Sequence, residues 1–225
     1  MTDPVEVWWA GPDQARTGHL ALLDEVESAR RERLRQPADR DRFTVAAALL
    51  RLVCARLTGL DPARVPVDRS CTRCGRPHGR PRISGYDLHV SISHSAGRVA
   101  VATAAVPVGV DVEQVRPIPV DEISGQTLGP DERADDLTGF FTYWARKESA
   151  VKATGDGLAV PLSGVLVSRP DQPARLLGYG TRPGLVATMA DLSPGPGYAA
   201  AVTLLTAGPC QVTERDGSEL LDSVG

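Results

Sequence analysis

The order in which helical and extended patterns follow one another narrows the fold of this chain more than any other feature. After a short apolar strand at Val5–Trp9, helical patterns rich in leucine and arginine run over His19–Arg35 and Arg40–Leu57. Extended apolar runs follow at Leu88–Ser93 and Arg98–Ala105, and a third, Val108–Val112, begins just after Pro107. The same order then returns: a helix from about Thr138 to Thr154, then strands at Gly164–Ser168, Arg175–Leu177, Leu185–Ala190 and Tyr198–Leu205. Gly59 and Gly155 stand where helices stop. Helices followed by strands, twice over, predict an α+β protein of two similar halves, residues 1–105 and 106–208, with 209–225 a loose tail.

A chain of 225 residues, 42% hydrophobic and 24% charged, can bury a real core. A net charge of −3 argues against wholesale nucleic-acid binding but leaves room for a local basic patch. No apolar run reaches membrane-spanning length. The first residues, Met1 to Glu6, lack the basic start and apolar stretch of a signal peptide, so a cytoplasmic location is expected. Four cysteines, Cys54, Cys71, Cys74 and Cys210, are too few for a disulfide framework and are expected to be free thiols.

Lys147 and Lys152 are the only lysines among 25 basic side chains. An ammonium is a compact point charge, a guanidinium a wide planar fork. A tight site around a phosphate and a metal accepts the first and rejects the second; a chance survival of a coding bias toward arginine accounts for the pair equally simply. On the predicted helix, Trp144, Glu148 and Lys152 fall on one face at i, i+4, i+8. In Gly109-Val-Asp111-Val-Glu113, the strand period of two puts both carboxylates on one face of an apolar strand. Such a pair, with Glu148 as a third, suits Mg²⁺; it also suits a solvated acidic edge. Ser91-Ile-Ser93-His94-Ser95 ends a buried strand and has no nucleophile elbow, so it reads as phosphate contacts or a structural turn. The run Arg30, Arg31, Arg33, Arg35, Arg40 and Arg42 suits phosphate groups or a solvated helix face. Cys71-x-x-Cys74 with His78 has the shape of a zinc knuckle. A structural zinc ordinarily takes a second ligand pair, so the loop is expected to hold no stoichiometric zinc and to be dispensable for catalysis.

Taken together, Gly79-Arg-Pro81, Ile92-Ser-His-Ser95, Gly109-Val-Asp-Val-Glu113 and Trp144-Ala-Arg-Lys-Glu-Ser-Ala-Val-Lys152 with Gly155-Asp-Gly-Leu158 resemble the 4′-phosphopantetheinyl transferases of the surfactin-synthetase-activating type. Arg42-Phe43 and Leu49-Leu-Arg51 also look like that family's second helix. The resemblance implies two α+β halves related by a pseudo-twofold axis, with the active site in the cleft between them. It implies coenzyme A as donor, Mg²⁺ or Mn²⁺ as cofactor, and an acyl or peptidyl carrier protein of primary or secondary metabolism as acceptor. A monomer is expected, with no nucleic acid or membrane as partner. Carried over residue by residue, Asp111, Glu113 and Glu148 would hold the metal. Lys152 would reach the pyrophosphate with Lys147 nearby, and Ser93 and His94 would contact coenzyme A phosphates. Arg80 stands where the family usually has lysine. Arg30 and Arg33 are the counterparts of its 3′-phosphate contacts, with Arg31 and Arg35 as alternatives and Arg42 close by. Glu148, or a metal-bound water that it orients, would accept the serine proton. Two other readings share parts of this pattern: a metal-dependent nucleotide-pyrophosphate hydrolase, and a zinc-stabilised binding module built on Cys71, Cys74 and the arginines.

Overall fold

The structure is a computed structural model and describes residues 3–180 and 182–224. Its helices are α1 (Glu25–Glu32), α2 (Pro37–Thr58), α3 (Val120–Thr127), α4 (Leu137–Thr154) and α5 (Ser218–Asp222). Its strands are β1 (Asp3–Ala10), β2 (Val67–Asp68), β3 (Arg82–Ile83), β4 (His89–Ser95), β5 (Arg98–Ala104), β6 (Val108–Gln114), β7 (Val165–Val167), β8 (Leu176–Tyr179), β9 (Thr188–Asp191), β10 (Tyr198–Leu204) and β11 (Cys210–Asp216). The fold is α+β, as the element order predicts. A six-stranded sheet runs β11-β1-β5-β4-β3-β2, a three-stranded sheet runs β6-β10-β9, and β7 pairs with β8. No described helix is long and apolar enough to cross a membrane.

Helix α2 starts with Pro37 in its first turn and stops at Gly59, whose φ of +74° lets its N–H reach the Ala55 carbonyl. Its apolar face, including Val45, Leu49 and Val53, covers one side of the large sheet at Trp8, Val90, Val99 and Val101. The alternate residues of the same strands, Val5, Val7, Ala100 and Ala102, turn to the opposite side and pack on Val108, Val110, Val112 and Val202 of the smaller sheet. Helix α4 lies on that smaller sheet. It comes closest at Gly109, where a Cβ would sit 2.0 Å from the Ser149 carbonyl oxygen and 2.3 Å from the Ala153 nitrogen. The glycine of the Gly-x-Asp-x-Glu run therefore lets the helix descend onto the strand that carries the carboxylates.

The two sheets are joined at β4 and β6 by side chains. Ser91, Ser93 and Ser95 accept hydrogen bonds from the backbone N–H groups of Val110, Val112 and Gln114, at 3.0, 3.3 and 3.1 Å. Strand β6 is an edge strand, and every second N–H on that edge needs an acceptor. Serines at i, i+2 and i+4 of a neighbouring strand supply acceptors at the same repeat.

Four sequence expectations are corrected. The tail is ordered: β11 pairs in parallel with β1 from Asp3↔Cys210 to Trp9↔Asp216, and α5 buries Leu221 against α2. Strand β11 thus completes the sheet that carries β1. The helix expected over 19–35 is interrupted, because Asp24 accepts from the Glu27 N–H at 2.8 Å and starts α1 afresh in a capping box. Helix α3 lies between β6 and α4, where the sequence patterns predict no element. Lys147, expected near Lys152 at the pyrophosphate, turns into the core instead. It is fully buried, paired with Glu132 and the Leu162 carbonyl, and burial pushes its pKa down while Glu132 pulls it up.

Two stability tests follow from this packing. Gly109→Ala should cost about 3 kcal/mol, the upper part of the overpacking range, since the clash is with helix backbone; urea denaturation checks it, and a change under about 1 kcal/mol would contradict the packing. Lys147→Met should lower stability by about 3–5 kcal/mol, because it leaves the Glu132 carboxylate buried without its cation. A midpoint close to that of the unsubstituted protein would rule out the buried pair.

Candidate active site

A cleft of about 350 Å³ opens between α1, α2 and β4 on one side and β6 and α4 on the other. Arg30 of α1, Phe43 of α2, Arg69 of the β2–β3 loop, and Ile92, Ser93 and His94 of β4 line one side. Asp111 and Glu113 of β6 and Trp144, Glu148 and Lys152 of α4 line the other. The strand period puts Asp111 and Glu113 on the face that Gly109 opens to α4, and the helical period sets Glu148 and Lys152 one turn apart above them.

Asp111 is the anchor. It is 3% exposed. Its Oδ1 accepts from Ser93 Oγ at 2.8 Å and from Lys152 Nζ at 2.6 Å, while its buried Oδ2 has no partner. Lys152 also donates to Ser93 Oγ at 2.9 Å. An ammonium has three protons, so one remains for a group in the cleft. Glu113 Oε2 accepts from Ser95 Oγ at 2.9 Å. Burial, and then the Asp111 charge, push the carboxyl pKa values of both Glu113 and Glu148 above the ordinary range. Three carboxylic groups crowded this way, one with an orphaned buried oxygen, make a hard-oxygen set suited to a divalent cation. Their oxygens do not close to within 4.8 Å of one another. Among the described residues, the one set of His, Cys, Asp and Glu side chains that does is Cys71, Cys74 and His78.

The opposite wall is basic. The Arg30 guanidinium lies 5.6 Å from the Phe43 ring centre. The His94 side chain lines the cleft and is exposed. Desolvation by the surrounding chain, and then the Arg42 charge, hold its pKa below the usual histidine value, which favours the neutral ring. Arg69 is the residue that sequence reasoning missed. Its buried Nε has no hydrogen-bond partner, and burial pushes its pKa down. It sits in an irregular loop outside every recognisable motif, and only its neighbours Glu27, Arg30, Asp24 and Arg51 in space mark it out.

Of the expected site residues, the cleft gathers Arg30, Ser93, His94, Asp111, Glu113, Glu148 and Lys152. It does not gather Arg33, which is exposed at the end of α1. Arg42 is held by Asp39 at 2.7 Å and by the Ala96 carbonyl at 2.9 Å, behind His94. Arg80 turns its guanidinium to the last turn of α4, donating to the Ala153 carbonyl at 2.7 Å, and contacts His89 at 3.2 Å. It braces the end of the helix that carries Lys152, where a cation is favoured by the exposed carbonyls. Of the alternatives, Arg31 is tied to Thr44 Oγ1 at 2.7 Å and Arg35 is exposed.

Comparison with known proteins bears on the same elements. The sequence model of the 4′-phosphopantetheinyl transferase superfamily matches residues 107–203, which hold β6, α4 and β10. The 4′-phosphopantetheinyl transferase HetI of Nostoc is 30% identical over 192 residues, covering 78% of this chain and 79% of HetI. A 4′-phosphopantetheinyl transferase of Bacillus subtilis is 29% identical over 162 residues, 67% of this chain and 69% of its own. The 4′-phosphopantetheinyl transferase Sfp of Bacillus subtilis strain 168 is 30% identical over 153 residues, 63% and 65%. With most of its length matched to HetI and its carboxylate strand and Lys152 helix inside the family match, this chain is a transferase belonging to the 4′-phosphopantetheinyl transferase superfamily.

Proposed function

We propose that this protein moves the 4′-phosphopantetheinyl group of coenzyme A onto a serine hydroxyl of an apo acyl or peptidyl carrier protein, with Mg²⁺ or Mn²⁺ as cofactor, and that it works as a monomer. The observation that carries this reading is the cleft itself. Its carboxylates and Lys152 stand on one wall, and Arg30, Arg69 and His94 on the other. A donor with a pyrophosphate and a separate 3′-phosphate presents two centres of negative charge, and the cleft has two regions to receive them. Arg30, Arg69 and the neutral His94 would take the 3′-phosphate end, the guanidinium forks binding its oxygens in pairs. Lys152 would direct its free proton at a pyrophosphate oxygen.

Asp111, Glu113 and Glu148 would hold the cation. When bound, it would offset the charge that builds on the phosphoryl oxygens. The serine oxygen forms the new bond to the pantetheine-side phosphorus, and the bond from that phosphorus to the bridging oxygen breaks, releasing 3′,5′-ADP. The serine proton goes to Glu148, directly or through one water. Glu148 lines the cleft beside Asp111 and Lys152, which makes it the carboxylate placed for that role. Lys152 meets the charge left on the phosphoryl oxygens, and its two bonds to Asp111 and Ser93 fix where its ammonium can be. A nucleotide-pyrophosphate hydrolase would share these carboxylates, so the acceptor decides the reading.

Apo carrier proteins of the fatty-acid, polyketide and nonribosomal-peptide kinds, incubated with the enzyme, coenzyme A and Mg²⁺, should gain the mass of one phosphopantetheinyl group on intact-protein mass spectrometry. Consumption of coenzyme A with no mass gain on any carrier would favour the hydrolase and overturn the proposal. Lys152→Arg tests the lysine. A guanidinium cannot keep short contacts to both Asp111 and Ser93 and also aim a single proton into the cleft. It should lose at least about tenfold in turnover, since a displacement near 1 Å at a transfer centre costs up to about a hundredfold. Its melting temperature should change little. Asp111→Ala should lose at least about a hundredfold; near-normal turnover at low Mg²⁺ would remove Asp111 from the metal set.

A further inference from the structure

The hairpin loop between β2 and β3 brings three metal-ligating side chains together away from the cleft. Cys71, Cys74 and His78 offer ligand atoms that all lie within 4.8 Å of one another, and Cys74 Sγ is 3.0 Å from His78 Nε2. In a tetrahedral zinc site, with bonds of about 2.3 Å to sulfur and about 2.0 Å to nitrogen, ligand atoms stand roughly 3.5–3.8 Å apart. The set therefore needs only small side-chain adjustments to close on an ion.

The backbone is already wound for this. Gly75 N–H donates to the Cys71 carbonyl at 2.8 Å, and Cys71 N–H donates to the Arg76 carbonyl at 2.9 Å. Gly75 has a φ of +73°, which closes the turn after the second cysteine. The neck of the loop is shut by Gly79 N–H donating to the Arg69 carbonyl at 2.7 Å, where a Cβ on Gly79 would come within 2.8 Å of the Ser70 carbonyl. Two soft sulfurs and an imidazole select zinc over the hard cation that suits the carboxylates of the cleft.

We propose that Cys71, Cys74 and His78 bind one Zn²⁺, leaving a fourth position for water, and that the ion acts as a clasp on the loop. This reverses the expectation of a zinc-free loop. The three side chains already gathered by the loop make a fourth ligand from water sufficient. The place of the clasp gives it a purpose. Arg69 leaves one side of the loop neck for the cleft, and Arg80 leaves the other for the end of α4. Cross-linking the residues between them fixes the spacing of the two arginines. The inference does not depend on the transferase reading, because it concerns the loop alone.

Metal analysis of the protein purified without chelator should find about one zinc per chain, and the Cys71→Ser, Cys74→Ser double variant less than about a tenth of that. Cobalt-exchanged protein should show near-ultraviolet thiolate-to-cobalt absorption that the Cys71→Ser, Cys74→Ser double variant, which keeps buried Cys54 and part-exposed Cys210, lacks. Trypsin should cut the exposed Arg73–Cys74 bond at least about tenfold faster after zinc removal, as expected for a loop released from its ligands. The neighbouring Arg76–Pro77 bond resists the protease and does not confuse the reading. Less than about a tenth of a zinc per chain after incubation with equimolar zinc and desalting, with no cobalt–thiolate absorption, would overturn the proposal. So would equal zinc in the double variant, or a Cys71–Cys74 disulfide in protein isolated without reductant.

Discussion

Three serine hydroxyls tie the six-stranded sheet of this protein to the three-stranded one. An edge strand such as β6 leaves a row of N–H groups that must find acceptors or be paired by another strand. Ser91, Ser93 and Ser95 answer that need with side chains, and two of the same hydroxyls then donate onward, Ser93 to Asp111 and Ser95 to Glu113. Each of these two hydroxyls thus ties a backbone group to a carboxylate of the cleft. The seam between the halves and the shape of the cleft are set by one set of atoms. Ser93 is filled to capacity: it donates once and accepts twice, from Val112 N–H and Lys152 Nζ. Alanine at this position would strand a buried amide and loosen both partners of the central ion pair.

The division of labour between lysine and arginine is clearer in space than in sequence. Arg146 is fully buried and uses its fork against both oxygens of Asp191 and the carbonyls of Ser168, Arg169 and Gln172. Arg51 spans Glu27, Asp24 and the Val65 carbonyl in the same manner. Lys147 and Lys152 each meet one carboxylate and one further oxygen in a confined space. Both lysines therefore occupy places where a compact cation fits, but only one of them faces the cleft. A shared rarity in the sequence led to two different roles.

What the sequence made legible was whatever obeys a short period. Asp111 and Glu113 at strand spacing, and Glu148 and Lys152 at helical spacing, come together as their patterns require. The same rule, applied strictly, separates Lys147 from Lys152 by about 140° around the helix, at about 100° per residue. Other features have no period to read. Arg69 reaches the cleft from an irregular loop. β11, Cys-Gln-Val-Thr-Glu-Arg-Asp, carries little apolar alternation because it is an edge strand with polar side chains, and its pairing partner lies at the other end of the sequence. The break before α1 was readable as Asp24-x-x-Glu27, a capping box hidden inside a longer helical pattern.

The parallel pairing of β11 with β1 gives the molecule a direction in time. Among the described strands, β1 is made first and β11 last. Until Cys210–Asp216 emerges, the outer flank of β1 is an open edge whose backbone groups are ready for any passing strand. The large sheet therefore receives its last partner from a segment made after every residue of the cleft, and the cleft-bearing strands are in place before the edge beside β1 is covered.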